Sequence, residues 1–252
     1  VPFSFCAVDV NMAQNAAMSR ATKAHPTKPS DASRAFTTDC RDCKRLADFL
    51  DETRGLYPTY FCKPVPPFGV AKPRLFIVGL APGMHGANRT GRPFTGDYAG
   101  ELLYRTLHAY GFANQPQTVD ADGALDSRLK LIDCVISNAV KCLPPQNKPT
   151  PDEISTCNQY LAQEIAALPK AHSVAILALG AIAHDAVLRA VGLKRSAAKF
   201  AHGARHMLPN GQLLFNSYHC SRYNTNTRRL TEPAFREVFA NIRAQIDATA
   251  SA

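Results

Sequence analysis

Residues 74–97 read RLFIVGLAPGMHGANRTGRPFTGD, and this passage decides the fold. Its opening, Arg74 to Val78, is an apolar, β-branched run of strand length. The nineteen residues that follow, Gly79 to Asp97, hold five glycines and two prolines. Such a loop is rigid, and its backbone can approach a ligand closely. It is not the phosphate-binding loop of NTPases, because Arg92 and Pro93 stand where a lysine and then a serine or threonine are required, and its glycine spacing does not fit the dinucleotide fingerprint. Outward from this passage the same strand-then-helix rhythm repeats. Apolar runs at Ile132–Ala139, Val174–Leu179 and Leu213–Ser217 predict three more strands. A helical stretch follows each of the four: Tyr98–Tyr110, Pro151–Leu168, Ala181–Val191, and Thr231 to about Ala248. The second of these opens with a capping box, in which Thr150 accepts from the backbone, Glu153 reaches back, and Pro151 takes the first helical position. Strands alternating with helices imply a parallel sheet covered on both faces. Ligands gather at the carboxyl ends of such strands, so chemistry is expected in the loops after Val78, Ala139 and Ser217. Upstream, a helix is predicted from about Cys40 to Arg54, followed by a proline-rich loop, Pro58 to Pro73, with no regular structure.

At 252 residues and 46% hydrophobic composition the chain can bury one substantial core, with little left for a second domain. Residues 1–35 are rich in Ala, Ser, Thr, Lys and Asn without a sustained period and read as a flexible tail, leaving 36–252 as a single domain. The longest apolar run, Val174 to Ala183, falls far short of the roughly 20 residues that cross a bilayer. Asp9 and Asn11 interrupt the only hydrophobic start, so no secretory signal is expected and the protein reads as cytoplasmic. In that reducing setting the eight cysteines point toward metal binding or buried thiols rather than disulfides. The net charge is +9, and its excess is local. Between Gly192 and Arg229 lie seven Lys and Arg residues and no Asp or Glu. Such a one-sign stretch attracts a polyanion through counterion release, or is simply a solvated basic surface.

Two further strand-end segments complete the pattern: NAVKCLPPQNKPTPDEISTC from Asn138 to Cys157, and SYHCSRYNTNTRRLT from Ser217 to Thr231. In this order, the three segments resemble the motifs of the uracil-DNA glycosylase superfamily. The resemblance is greatest to its family 5, the type B enzymes, whose first motif is similar to Gly79–Asp97 almost residue for residue. The related family 4 enzymes carry an acidic residue early in that motif, where this chain has Leu80 and Ala81. The likeness runs from about Cys40 to Ala248. It implies a three-layer α/β/α sandwich with a central four-stranded parallel sheet. It also implies a DNA glycosylase of base excision repair, which flips a damaged nucleotide out of the helix and hydrolyses its N-glycosidic bond. The first motif lacks the polar side chains that restrict other families to uracil, so the likeness implies action on hypoxanthine and xanthine as well. The expected partner is DNA containing uracil or another deaminated base, bound by a monomer. The rival reading is a non-catalytic nucleic-acid-binding iron–sulfur protein that retains the fold.

Cys40 and Cys43 are spaced i, i+3, so on a helix both point to one side. Cys142 and Cys157 are separated by a proline loop and a helix start, which lets two segments close on one centre. Four thiolates hold either zinc or an iron–sulfur cluster, and the spacing does not choose. The resemblance implies a 4Fe-4S cluster on Cys40, Cys43, Cys142 and Cys157, in a structural role. Cys134 reads as a buried strand residue, Cys6 lies in the tail, and Cys62 sits in the proline loop without an assigned partner.

The chemistry of base removal divides the remaining candidates. Asp97, the only carboxylate in the first loop, is the residue that the resemblance assigns to water activation or to stabilising the cationic sugar. It also suits the N-cap of the helix that follows, where a carboxylate is expected to stay ionised. His219 can donate an imidazole N–H to the carbonyl of the departing base. Asn138 offers a paired donor and acceptor for a base edge, or forms a turn. Phe94 can stack on the base or pack in the core. Gly79, Ala81, Pro82, Gly83 and His85 are expected to shape the base pocket, and Asn88 and Arg89 to line its mouth toward DNA. Ser221, Arg222, Tyr223 and Asn224 match the segment that enters the duplex in this superfamily, with Arg222 or Tyr223 as the wedge. The chain departs from its relatives at Cys220, where a proline is usual, and at Arg228, where a glycine is expected.

Overall fold

A computed structural model describes residues 35–169 and 174–250, so the predicted tail and Cys6 lie outside the described residues. The four predicted strands form at Leu75–Gly79 (β2), Cys134–Asn138 (β3), Ala175–Leu179 (β4) and Leu213–Ser217 (β6), and each is buried along its whole length. Their neighbours run parallel, with Gly79 level with Asn138 and Leu179 level with Ser217. The carboxyl ends of all four therefore lie at one edge of the sheet. Two short strands, Phe68–Gly69 (β1) and Arg205–Met207 (β5), add antiparallel edges to β3 and β6. The sheet is thus six-stranded and mixed, in the order β1-β3-β2-β4-β6-β5, around the expected parallel four.

β1 overturns the expectation that Pro58–Pro73 lacks regular structure. Gly69 makes it possible: at φ 141° a Cβ there would lie 2.2 Å from the Cys134 carbonyl oxygen, so only glycine brings this loop against β3. β3 also starts two residues later than its apolar run, because Ile132 is exposed and Asp133 takes a left-handed φ of 54° before the ladder begins.

Side chains alternate along β2. Leu75 and Ile77 enter one core, shared with Tyr98–Ala109 (α3) and Glu232–Ala250 (α7) through residues such as Leu103 and Phe239. Phe76 and Val78 enter the other, shared with Pro151–Ala166 (α4) and Ala181–Ala190 (α5) through Leu161 and Val187. This is the α/β/α sandwich. The capping box at Thr150 forms with both reciprocal bonds, Glu153 N–H to the Thr150 hydroxyl at 3.3 Å and Thr150 N–H to the Glu153 carboxylate at 2.7 Å. No helix among the described residues is long and apolar enough to cross a membrane.

The first helix, Lys44–Leu56 (α1), begins after both of its cysteines. Cys43 is its N-cap with extended torsions, so Cys40 and Cys43 are not on a helix, as their spacing had suggested. A third apolar cluster places Leu46 and Leu50 of α1 against Val140, Cys142 and Tyr160.

Candidate active site

A cavity of about 380 Å³ opens at the carboxyl ends of β2 and β3, within the size range of ligand pockets. Phe94, Asp97, Asn138 and His219, which come from all three motifs, line it together. Parallel pairing explains the first meeting, since Gly79 ends β2 level with Asn138. A Cβ on Gly79 would lie 2.4 Å from Asn138 Oδ1 and 2.7 Å from the Phe94 ring, so glycine alone lets both side chains close over this strand end.

Phe94 takes a left-handed φ of 52°, and the surrounding loop holds it there. The Tyr104 hydroxyl, fully buried, donates to the Pro93 carbonyl at 3.0 Å. Arg92, whose presence ruled out a phosphate-binding loop, is a buried strut. Its guanidinium donates to Thr95 Oγ1 at 3.0 Å, to the Asp126 carbonyl at 2.8 Å and to the Thr118 carbonyl. The Phe94 and His219 rings are stacked at 5.7 Å with planes 28° apart.

Asp97 serves its cap and faces the cavity at once. Gly100 N–H donates to Oδ1 at 2.8 Å, while Oδ2 lies over Gly86, where a Cβ would come within 2.4 Å. Burial raises its pKa above the ordinary carboxylate value, the Gly100 N–H opposes that rise, and Glu101 adds to it. The helix start, through the Gly100 N–H, favours the ionised carboxylate, and burial outweighs that contribution in the direction of the shift. His219 is pushed down to about 4 by burial, so its imidazole is neutral at physiological pH and carries one N–H. Asn224 Nδ2 donates to the His219 carbonyl at 2.8 Å, and the buried Cys220 thiol donates to the Ala99 carbonyl at 3.4 Å. These contacts hold the loop where the usual proline is missing. Arg228 sits at φ 55°, which explains why a glycine suits that position.

The other predicted residues divide. Ala81 and Gly83 line the cavity with Ser221 and Arg222, and Pro82 is buried beside them. His85 is exposed, and its Nδ1 meets the Tyr60 hydroxyl at 3.0 Å while its ring packs edge-on to Tyr57 and Tyr60, outside the cavity lining. Asn88 is fully buried, with Nδ2 3.5 Å from the Cys62 sulfur, which leaves no surface for DNA to touch. Arg89 turns back to the His85 carbonyl at 2.8 Å and the Gly123 carbonyl at 3.0 Å, bracing the loop. Both residues were expected to face DNA, and both occupy the one-turn helix Ala87–Thr90 (α2), which turns Asn88 to the loop interior and leaves Arg89 half-buried. Tyr223 is 72% exposed on the short helix Arg222–Asn226 (α6). Sequence reasoning missed Tyr98 and Asn147, which also line the cavity. Asn147 follows Gln146 in left-handed torsions, φ 56° and 54°, a signal invisible in residue type.

Cys40, Cys43, Cys142 and Cys157 line a second, narrow space with Phe36 and Tyr160. All four are free thiols. Burial first, then the neighbouring thiols, pushes Cys43 up to about 12 and Cys142 higher still. Lys141 N–H donates to the Cys157 sulfur at 3.3 Å, and Cys40 lies 3.4 Å from the Tyr160 hydroxyl. Among the described residues no three His, Cys, Asp or Glu groups come together as closely as one metal ion needs.

Comparison with known proteins follows the same lines. The model of the uracil DNA glycosylase superfamily matches residues 66–243. The chain is 44% identical over 206 residues to a Type-5 uracil-DNA glycosylase of Thermus thermophilus, covering 80% of this chain and 91% of that one. It is 39% identical over 216 residues to a Type-5 uracil-DNA glycosylase of Pyrobaculum aerophilum, covering 83% and 89%. A Type-4 uracil-DNA glycosylase of Sulfurisphaera tokodaii is 29% identical over 181 residues. Matched across all three strand-end motifs, and more extensively to type 5 than to type 4, the chain belongs to the uracil-DNA glycosylase superfamily, in its type 5 branch.

Proposed function

We propose that this chain is a DNA glycosylase that hydrolyses the N-glycosidic bond of uracil in DNA, and of hypoxanthine and xanthine by the same route. The carrying observation is that Phe94, Asp97, Asn138 and His219, from three motifs, face one cavity. The flipped base lies against the Phe94 ring, and Asn138 hydrogen-bonds its edge. As the bond breaks, its electron pair passes to the base. Neutral His219 donates its N–H to the oxygen on which that charge develops, a donor of this kind being worth about 2.7–4 kcal/mol of barrier. Asp97, as the carboxylate, steadies the cationic sugar and takes a proton from the water that adds to it. Base breadth is supported by the apolar stretch of cavity wall at Leu80, Ala81 and Ala87.

DNA is the partner that the net charge of +9 and the basic stretch Gly192–Arg229 favour. The cavity is complete within one chain, which suits a monomer. Cys40, Cys43, Cys142 and Cys157 are the residues that would hold a 4Fe-4S cluster. Four free thiols lining one space, two of them buried, fit such a group, and a multi-centre cluster spaces its thiolates more widely than one zinc ion does. Bound, it would supply a cross-link between the start of α1, the β3–α4 connection at Cys142 and α4 at Cys157. The decisive experiment is incubation with a uracil-containing duplex followed by alkali. Strand cleavage at the uracil is expected; an intact strand would support the non-catalytic alternative. The same assay on a hypoxanthine duplex tests breadth, and broad visible absorbance of the purified protein tests the cluster.

A further inference from the structure

Tyr98 follows Asp97 directly, opens α3 and lines the base cavity. It also reaches across to the third motif. The Thr225 hydroxyl donates to the Tyr98 oxygen at 3.0 Å, and the Arg222 guanidinium sits 5.1 Å from the Tyr98 ring centroid. One side chain, rooted beside Asp97, thus touches both ends of α6. That helix has five residues and none of them is buried. So short a helix has no stability of its own, and its orientation must come from contacts outside it. Tyr223, the most exposed aromatic of this segment, stands between the two residues that Tyr98 holds.

We propose that Tyr98 is a positioning residue that couples the base cavity to the duplex-entering segment, fixing α6 so that Tyr223 meets the stack at a set distance from Asp97. The inference rests on the reading of the chain as a DNA glycosylase. Extracting a paired base requires that the vacated space be filled before the base returns, so a loosely held α6 slows extraction. A base in a single strand is already free of its partner and needs no such filler.

The test compares single-turnover uracil excision from a duplex and from a single strand of the same sequence. The variants are Tyr98→Ala, Tyr98→Phe, Thr225→Val and the double variant Tyr98→Phe with Thr225→Val. For Tyr98→Ala the duplex-to-single-strand rate ratio is expected to fall about tenfold, and for Tyr98→Phe about threefold. Thr225→Val should lower the ratio at least as far as Tyr98→Phe, because it also removes the hydroxyl's contacts to the Ser221 and Arg222 carbonyls, and adding Tyr98→Phe to it should cost nothing more, because the bond between the two is already gone. The fluorescence rise of a 2-aminopurine placed beside the uracil, which reports extrusion before bond cleavage, should slow in step with the ratio. An unchanged ratio in Tyr98→Ala, whether its rates fall equally or not at all, overturns the coupling. Should the parent protein cut neither substrate, the glycosylase reading itself fails, a result distinct from an unchanged ratio in an active enzyme.

Discussion

The loops Gly79–Asp97 and Ser217–Thr231 both leave the end of a parallel strand and both reach the cavity, yet they are held in opposite ways. The first is braced from beneath by Arg92, whose guanidinium makes three hydrogen bonds in the interior, and by the buried Tyr104 hydroxyl. The second is held from above its root by the Cys220 thiol, by Asn224 bonding back to the His219 carbonyl and by Tyr98 against Arg222 and Thr225, and it leaves Tyr223 and Arg228 exposed. Groups that must meet developing charge gain from fixed placement, since no reorganisation is then needed at the moment of reaction. Groups that must enter a duplex have to stand clear of the protein. Under the proposed function, the difference separates chemistry, on the braced loop and the root of the other, from substrate opening, on the outer turn.

The largest expected break comes from Asp97→Asn. Asparagine is as good an N-cap as aspartate, so α3 should remain intact and the melting temperature should hold, while kcat falls roughly a thousandfold. A matching loss of stability would show that Asp97 acts mainly as a cap. Next is His219→Ala, for which a loss of about a hundredfold in kcat is expected, with KM little changed. Because burial keeps His219 neutral down to about pH 4, lowering the pH from 8 to 5 leaves its N–H in place. The acid limb of kcat/KM should instead follow Asp97, whose raised pKa makes it take up a proton, and lose its charge, earlier than an ordinary carboxyl as the pH falls. An inflection between pH 6 and 7 that disappears in His219→Ala would contradict this assignment.

On the outer turn the effects shrink. Tyr223→Ala should lower excision from duplex DNA by about fivefold, judged by the unstacking that one aromatic wedge supports, and measured against the same lesion in a single strand. Arg228→Gly should raise stability by up to about 1 kcal/mol, because the left-handed torsion at φ 55° costs arginine and not glycine. Thermal unfolding checks this, and a lower melting temperature would show that the arginine side chain contributes more than its torsion costs.

The capping box at Thr150 illustrates what was legible. Its residue types, spacing and flanking proline are all local, and the structure reproduces both bonds. The same holds for the four parallel strands, whose apolar runs are dictated by burial on two faces. Cys40 and Cys43 illustrate what was not. Their i, i+3 spacing is helical, but the helix begins at Lys44, because Cys43 takes extended torsions, and both line one space with Cys142 of the β3–α4 connection and Cys157 of α4. Asn88 misled in the same way, since its place in the first motif suggested the mouth toward DNA and its side chain lies in the interior.

By itself, then, the order of apolar runs and turn residues determined the alternating layers, the sheet direction and the strand ends at which the site would form. Those features follow from periodicity and backbone torsion, which each short segment carries within itself. Tertiary structure alone decided that Tyr98 reaches Thr225 and Arg222 across 127 and 124 positions, that Asn147 turns into the cavity, and that burial outweighs the helix cap at Asp97. Each of these depends on the low-dielectric surroundings and close approach that segments distant in sequence create only when they pack together.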